Sequence, residues 1–191
     1  MRHICLPLAI AALAACDNTP TEYATPVVVS GINAKNDAQE NQTTPLKGDQ
    51  EVPPRETQAT GNAIYHISDD GNSVDYKLIV ANIDNVIMAH IHIGPPGVAG
   101  PVAVWLYPST TPGPAPAGGG PINGVIVTGT FTSANLTAAS GAWDGTWASL
   151  IAAIRSGGAY TNVHTDDGIA PQNTGPGDFF PGEIRGQFKG Q

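Results

Sequence analysis

From Pro45 onward the apolar positions recur with a period of two. Val74, Tyr76, Leu78 and Val80 alternate with polar or small neighbours, the pattern of a half-buried strand. Ala63–Ile67 reads as the strand before it. Asp69-Asp70-Gly71-Asn72 between the two tolerates positive φ, which predicts a hairpin. Further strands are expected at Val86–Ile93, Val102–Tyr107, Ile122–Phe131, Ala159–His164 and Gly182–Lys189, separated by glycine- and proline-rich segments such as Gly94-Pro95-Pro96-Gly97 and Pro108–Pro121. One stretch has a helical period instead. Trp147, Leu150, Ile151 and Ile154 fall at i, i+3, i+4 and i+7, with Asp144 or Thr146 placed to cap the start and Gly157-Gly158 to stop it. Short strands with regular turn signals predict an all-β domain: an antiparallel sandwich or barrel with one short α-helix.

The first 44 residues follow different rules. Ile4 to Ala15 is an apolar run behind a single Arg2, too short for a bilayer span of about 20 residues, and it reads as an export signal over residues 1–15. It ends in Leu13-Ala14-Ala15-Cys16, which resembles the lipobox of bacterial lipoproteins, where cleavage before the cysteine precedes its acylation. The alternative is an ordinary signal peptide with Cys16 incidental. Residues 16–44 are polar apart from Val27-Val28-Val29, so a flexible tether is expected there, followed by a β domain over 45–189. The protein would then sit in the cell envelope, held to a membrane by its N-terminal lipid and facing the periplasm or exterior.

Composition adds two exclusions. The 8 basic residues against 16 acidic ones argue against nucleic acid as a partner, which calls for a basic surface. Of the 2 cysteines, Cys5 lies in the signal and Cys16 would carry lipid. The mature chain therefore has no thiol for a disulfide, a nucleophile or a cysteine-based zinc site. The 23 glycines and 17 prolines fit a strand-rich, turn-rich fold.

Three motifs carry a family resemblance. Glu51-Val52-Pro53-Pro54 leads into Ala59-Thr60-Gly61. Ala89-His90-Ile91-His92-Ile93-Gly94 is followed by Gly100-Pro101-Val102. Tyr160-Thr161-Asn162-Val163-His164-Thr165 precedes Gly182-Glu183-Ile184-Arg185-Gly186-Gln187. In this order they resemble the CHRD domain, named for its repeats in chordin and also found singly in bacterial exported proteins. The resemblance implies an antiparallel β-sandwich similar in pattern to copper–zinc superoxide dismutase, or an immunoglobulin-like Greek key. It implies no defined biochemical role. The stretch Asp166–Pro181 is longer than in the family's shortest members and reads as an ordered, turn-rich loop.

His90 and His92 hold the most chemistry. Residues i and i+2 of a strand share a face about 6.6–6.8 Å apart. With Ala89, Ile91 and Ile93 turned to the core, the imidazoles face out or into a polar cleft. His164, in the third motif, is the candidate third ligand. Imidazoles suit copper or zinc, and three of them leave an open coordination position. The alternative is a structural network of hydrogen-bonded histidines. His66 has no motif partner, so it reads as an ordinary half-exposed histidine.

Glu183 and Arg185, also i and i+2, read as an ion pair clamping the last strand, with Glu51 as a second partner. The other option is that Glu183 accepts from a ligating imidazole. For Asp166, Asp167 and Asp178 simple solvation is expected, because a calcium site needs a denser oxygen set than the sequence displays. Three functions stand open: a lipid-anchored binding module without catalysis, a copper- or zinc-dependent enzyme or metal carrier, and an adhesion protein. Superoxide dismutase uses more histidines than this chain offers, which weakens that analogy.

Overall fold

A computed structural model describes residues 41–108 and 113–190. The predicted signal, Cys16 and the tether up to residue 40 lie outside the described residues. Eight strands run in chain order: β1 (Asn41–Lys47), β2 (Thr60–Ile67), β3 (Ser73–Asp84), β4 (Val86–Ile93), β5 (Val102–Tyr107), β6 (Pro121–Thr132), β7 (Ala159–Thr165) and β8 (Ile184–Gln187). They form one antiparallel sheet in the order β5-β4-β7-β8-β1-β2-β3-β6. The all-β expectation with one helix is met.

The two sheet ends curl toward each other. Leu136, just past β6, bridges to Val104 of β5, and the Thr137 N–H donates to the Ala103 carbonyl at 2.9 Å. Across the interior, the Tyr76 hydroxyl of β3 donates to the Leu106 carbonyl of β5 at 2.8 Å, and the hydroxyls of Tyr65 and Thr161 meet at 2.6 Å. These contacts join strands far apart in sheet order, and the result is nearly a barrel. Inside it, Leu46, Tyr65, Leu78, Ala89, Ile91, Leu106, Phe131, Val163, Ile184 and Phe188 build a single core.

The helix α1 (Trp147–Ser156) seats Leu150, Ile151 and Ile154 in that core. Thr146 caps it by accepting from the Ser149 N–H at 3.2 Å, while Asp144 accepts from the Thr146 N–H and the Ser149 hydroxyl. Gly157, at φ 75°, ends it in the left-handed region that glycine tolerates.

Strand β2 starts at Thr60, three residues before the expected Ala63, and β1 and β8 also differ from the sequence reading. Strand β1 begins at Asn41, inside the stretch expected to be tether, and lies mid-sheet between β8 and β2. Its inward positions are Gln42, Thr44 and Leu46, so two of three are polar and the apolar alternation never forms. The last strand is shorter than expected. Gly182 closes a turn on the Phe179 carbonyl, and regular pairing covers only Ile184–Gln187.

Candidate metal centre

Strands β4 and β7 pair in a register that sets His90 opposite Asn162, His92 opposite Tyr160 and Met88 opposite His164. Since Ala89, Ile91 and Val163 point into the barrel, these six side chains share its outer face. His164 stands diagonal to His90, within reach of a long side chain. That face is not open. His90, His92 and His164 are 2%, 7% and 5% exposed, because polypeptide outside the two strands reaches them. The Gly100 carbonyl comes from the segment before β5, the Phe180 carbonyl from the long loop, and Trp105 of β5 stands edge-on to His90 at 4.2 Å between ring centroids. The imidazoles were expected in solvent or a cleft; they are buried on the side away from the core.

The three rings each present a nitrogen such that these atoms lie within 4.8 Å of one another. Their tautomers follow from their partners. A carbonyl can only accept, so His92 donates from Nδ1 to Gly100 O at 2.8 Å and His164 donates from Nδ1 to Phe180 O at 2.8 Å. Each neutral ring is left with a lone pair on Nε2. His164 Nε2 lies 3.1 Å from His90 Nδ1 and 2.9 Å from Asn162 Oδ1. The Nε2 atoms of His90 and His92 are buried without a hydrogen-bond partner. Burial holds all three rings neutral, pushing His90 down to about 2 and His92 and His164 down to about 4. The neighbouring imidazoles add to this at His90, and the Arg185 guanidinium adds at His92. Lone pairs and an amide oxygen thus gather where the described groups offer few donors. A cation satisfies such a set.

Comparison with known families assigns residues 42–188 to the CHRD domain. The chain belongs to the CHRD family. Neither curated proteins nor solved structures yield a match. The family match begins one residue into β1 and closes just past β8, so the CHRD domain is the described barrel itself.

Within the CHRD domain the other predicted residues take distinct places. Glu183 and Arg185 do not form the expected clamp on one face. Glu183 precedes β8, so strand alternation does not extend to it. Its carboxylate accepts from Thr57 Oγ1 at 2.6 Å, Thr165 Oγ1 at 2.7 Å and the Gly177 N–H at 2.9 Å. It accepts from none of the three imidazoles, whose Nδ1 atoms are engaged as above. Arg185 lies across from Asn162 and donates to the carbonyls of Val98 and Pro95, both at 3.0 Å. Its guanidinium also sits 3.4 Å from the centroid of Tyr160, whose ring stacks on His92 at 4.8 Å. Arg185 therefore fastens the 95–98 segment over the histidines. Glu51 is buried beside Arg185 and Asn162. Desolvation raises it to about 7 against the opposing pull of the Val52 N–H and Arg185, and its Oε1 has no hydrogen-bond partner. Gly182 is what admits this carboxylate, since a Cβ there would collide with Glu51 Oε1. His66 of β2 pairs with Asn41 at the exposed start of β1 and takes no part in the site.

Asn162, Tyr160 and Trp105 are site residues that the sequence reading passed over. For Asn162 and Tyr160 the signal was present: they sit at i−2 and i−4 from His164, hence on the same face of β7, by the alternation that grouped His90 with His92. For Trp105 no local signal existed, because only the β4–β5 register places it against His90.

Proposed function

We propose that this CHRD domain is a binding module of the cell envelope, exported and lipid-anchored at Cys16, whose ligand is a transition metal held by His90, His92 and His164. One observation carries the reading: two buried imidazole Nε2 atoms lack partners while backbone carbonyls fix the tautomers of His92 and His164. Carbonyl acceptors on Nδ1 are the usual means of aiming Nε2 at an ion. Tetrahedral coordination at about 2.0–2.1 Å per nitrogen needs donor separations of about 3.4 Å, so small ring rotations from the present spacing suffice. The donor set is neutral nitrogen with an adjacent amide oxygen, which suits copper or zinc. Residues 95–100 and 180 seal the rings, and this favours retention of a metal over turnover at it. Glu51, poised near neutrality beside the site, supports a second reading as a metal-dependent enzyme with a proton-transfer group.

Metal analysis of the full chain, purified without a histidine tag, tests the proposal. About one equivalent of copper or zinc is expected in the wild type and none in His90→Ala/His92→Ala. A wild-type protein that retains no metal at pH 7.5, and whose melting temperature does not move with either ion, overturns it.

A further inference from the structure

A second cluster of potential ligands lies in the long loop after β7, and its atoms are all oxygen. Carboxylate oxygens of Asp166, Asp167 and Asp178 stand within 4.8 Å of one another. Their hydrogen-bond partners are neutral. Asp166 accepts from the Gly168 N–H and the Gln172 amide, both at 2.7 Å, and Asp167 accepts from the Ile169 N–H at 2.8 Å. Asp178 Oδ2 accepts from the N–H and hydroxyl of Thr174, each at 2.8 Å. The second Asp178 oxygen is different. Asp178 is 2% exposed, and its Oδ1 is buried with no hydrogen-bond partner. A buried carboxylate oxygen without a hydrogen-bond partner, in a cluster with two further carboxylates, is an arrangement that a positive charge satisfies.

We propose that the 166–178 loop binds a hard divalent cation of the calcium class through Asp166, Asp167 and Asp178. An oxygen-only donor set of this charge selects calcium-like ions over copper or zinc, which prefer the imidazole cluster. The remaining coordination would come from water. Of the three carboxylates, Asp166 lines an open concavity of about 390 Å³ with Gly168, Ile169, Ala170 and Gln172, and water reaches it there. The site is independent of the transition-metal reading in its donors. It shares structure with it, however: Phe179 and Phe180 follow Asp178 directly, and the Phe180 carbonyl orients His164. Cation binding thus pins the segment that holds one imidazole in place.

Equilibrium dialysis of calcium against the full chain, first stripped with a chelator, tests this. One equivalent should bind with a dissociation constant of about 0.1–1 mM, the range of extracellular calcium modules. Asp178→Asn, which keeps an acceptor for Thr174, and Asp167→Asn should each weaken binding at least about tenfold, since ligand charge count sets calcium affinity. Amide exchange across residues 166–180 should slow when calcium is added to the wild type. His90→Ala/His92→Ala should bind calcium as the wild type does, which separates failure of this proposal from failure of the transition-metal site. If Asp178→Asn does not fold, the partly exposed Asp167→Asn decides. Absence of wild-type binding at about 10 mM calcium, ten times the weak end of that range, or equal affinity in a folded Asp167→Asn protein, overturns the proposal.

Discussion

At the scale of single residues, the histidines make the protein's acid behaviour predictable. An unfolded histidine has a pKa near 6.5, whereas His90, His92 and His164 fall to about 2, 4 and 4 in the fold. Between pH 6.5 and 4 the unfolded chain therefore binds up to three protons that the native chain refuses. Stability of the metal-free protein is fully present above about 6.5 and is lost as pH falls through this window. Glu51 opposes the trend, because its raised pKa of about 7 lets the native state take up a proton before the unfolded one does. The net difference is about two protons, or roughly 2–3 kcal/mol of stability per pH unit near pH 5.5. Urea unfolding at pH 6.5, 5.5 and 4.5 checks this; a flat profile would mean that the buried rings are not held neutral. The same shifts move the acid limit of metal binding. Sequence alone sets it near 6.5, whereas in the fold ligating lone pairs persist to about pH 4.

At the scale of elements, β1 is the instructive case. The polar Gln42 and Thr44 read as tether, yet both are buried, and the chain from Asn41 to Thr44 pairs with β2 from His66 to Ala63. Thr44 contacts the Ala63 carbonyl from its inward position, whereas Gln42 Nε2 is buried without a hydrogen-bond partner. The strands legible from sequence were those whose inward positions are apolar, such as β3 with Val74, Tyr76, Leu78 and Val80. A chain starting at Asn41 should accordingly melt as a cooperative unit, whereas one starting at Pro45 strips half of the central β1–β2 ladder. Its melting temperature should drop by at least about 10 °C, given roughly 2–4 °C per kcal/mol for a domain of this size and four residues of lost pairing. Thermal unfolding followed by circular dichroism distinguishes them; equal melting temperatures would show that Asn41–Thr44 contribute nothing.

At the scale of the whole molecule, charge and anchoring belong together. Cleavage before Cys16 would remove Arg2 and no acid, taking the basic count from 8 to 7 against 16 acidic residues, a net charge of −9. Such a body is repelled by anionic headgroups, so attachment would rest on the acyl chains alone. In cell fractionation the wild type should follow the membranes and need detergent for release, while Cys16→Ser should become soluble or remain as uncleaved precursor. Release of the wild type by salt alone would refute acylation and leave Cys16 incidental.

Local sequence determined the strands with apolar inward faces, the capped helix, and the pairing of His90 with His92, because each depends only on a period of two or 3.6 along neighbouring residues. It also supplied the family through three ordered motifs. What it did not contain is long-range register. That register places His164 diagonal to His90, and the loops that the strands carry bring the Gly100 and Phe180 carbonyls onto the imidazoles. The outward face of β4 became a buried polar site because chain distant in sequence folds over it, and burial is a property that no single segment possesses.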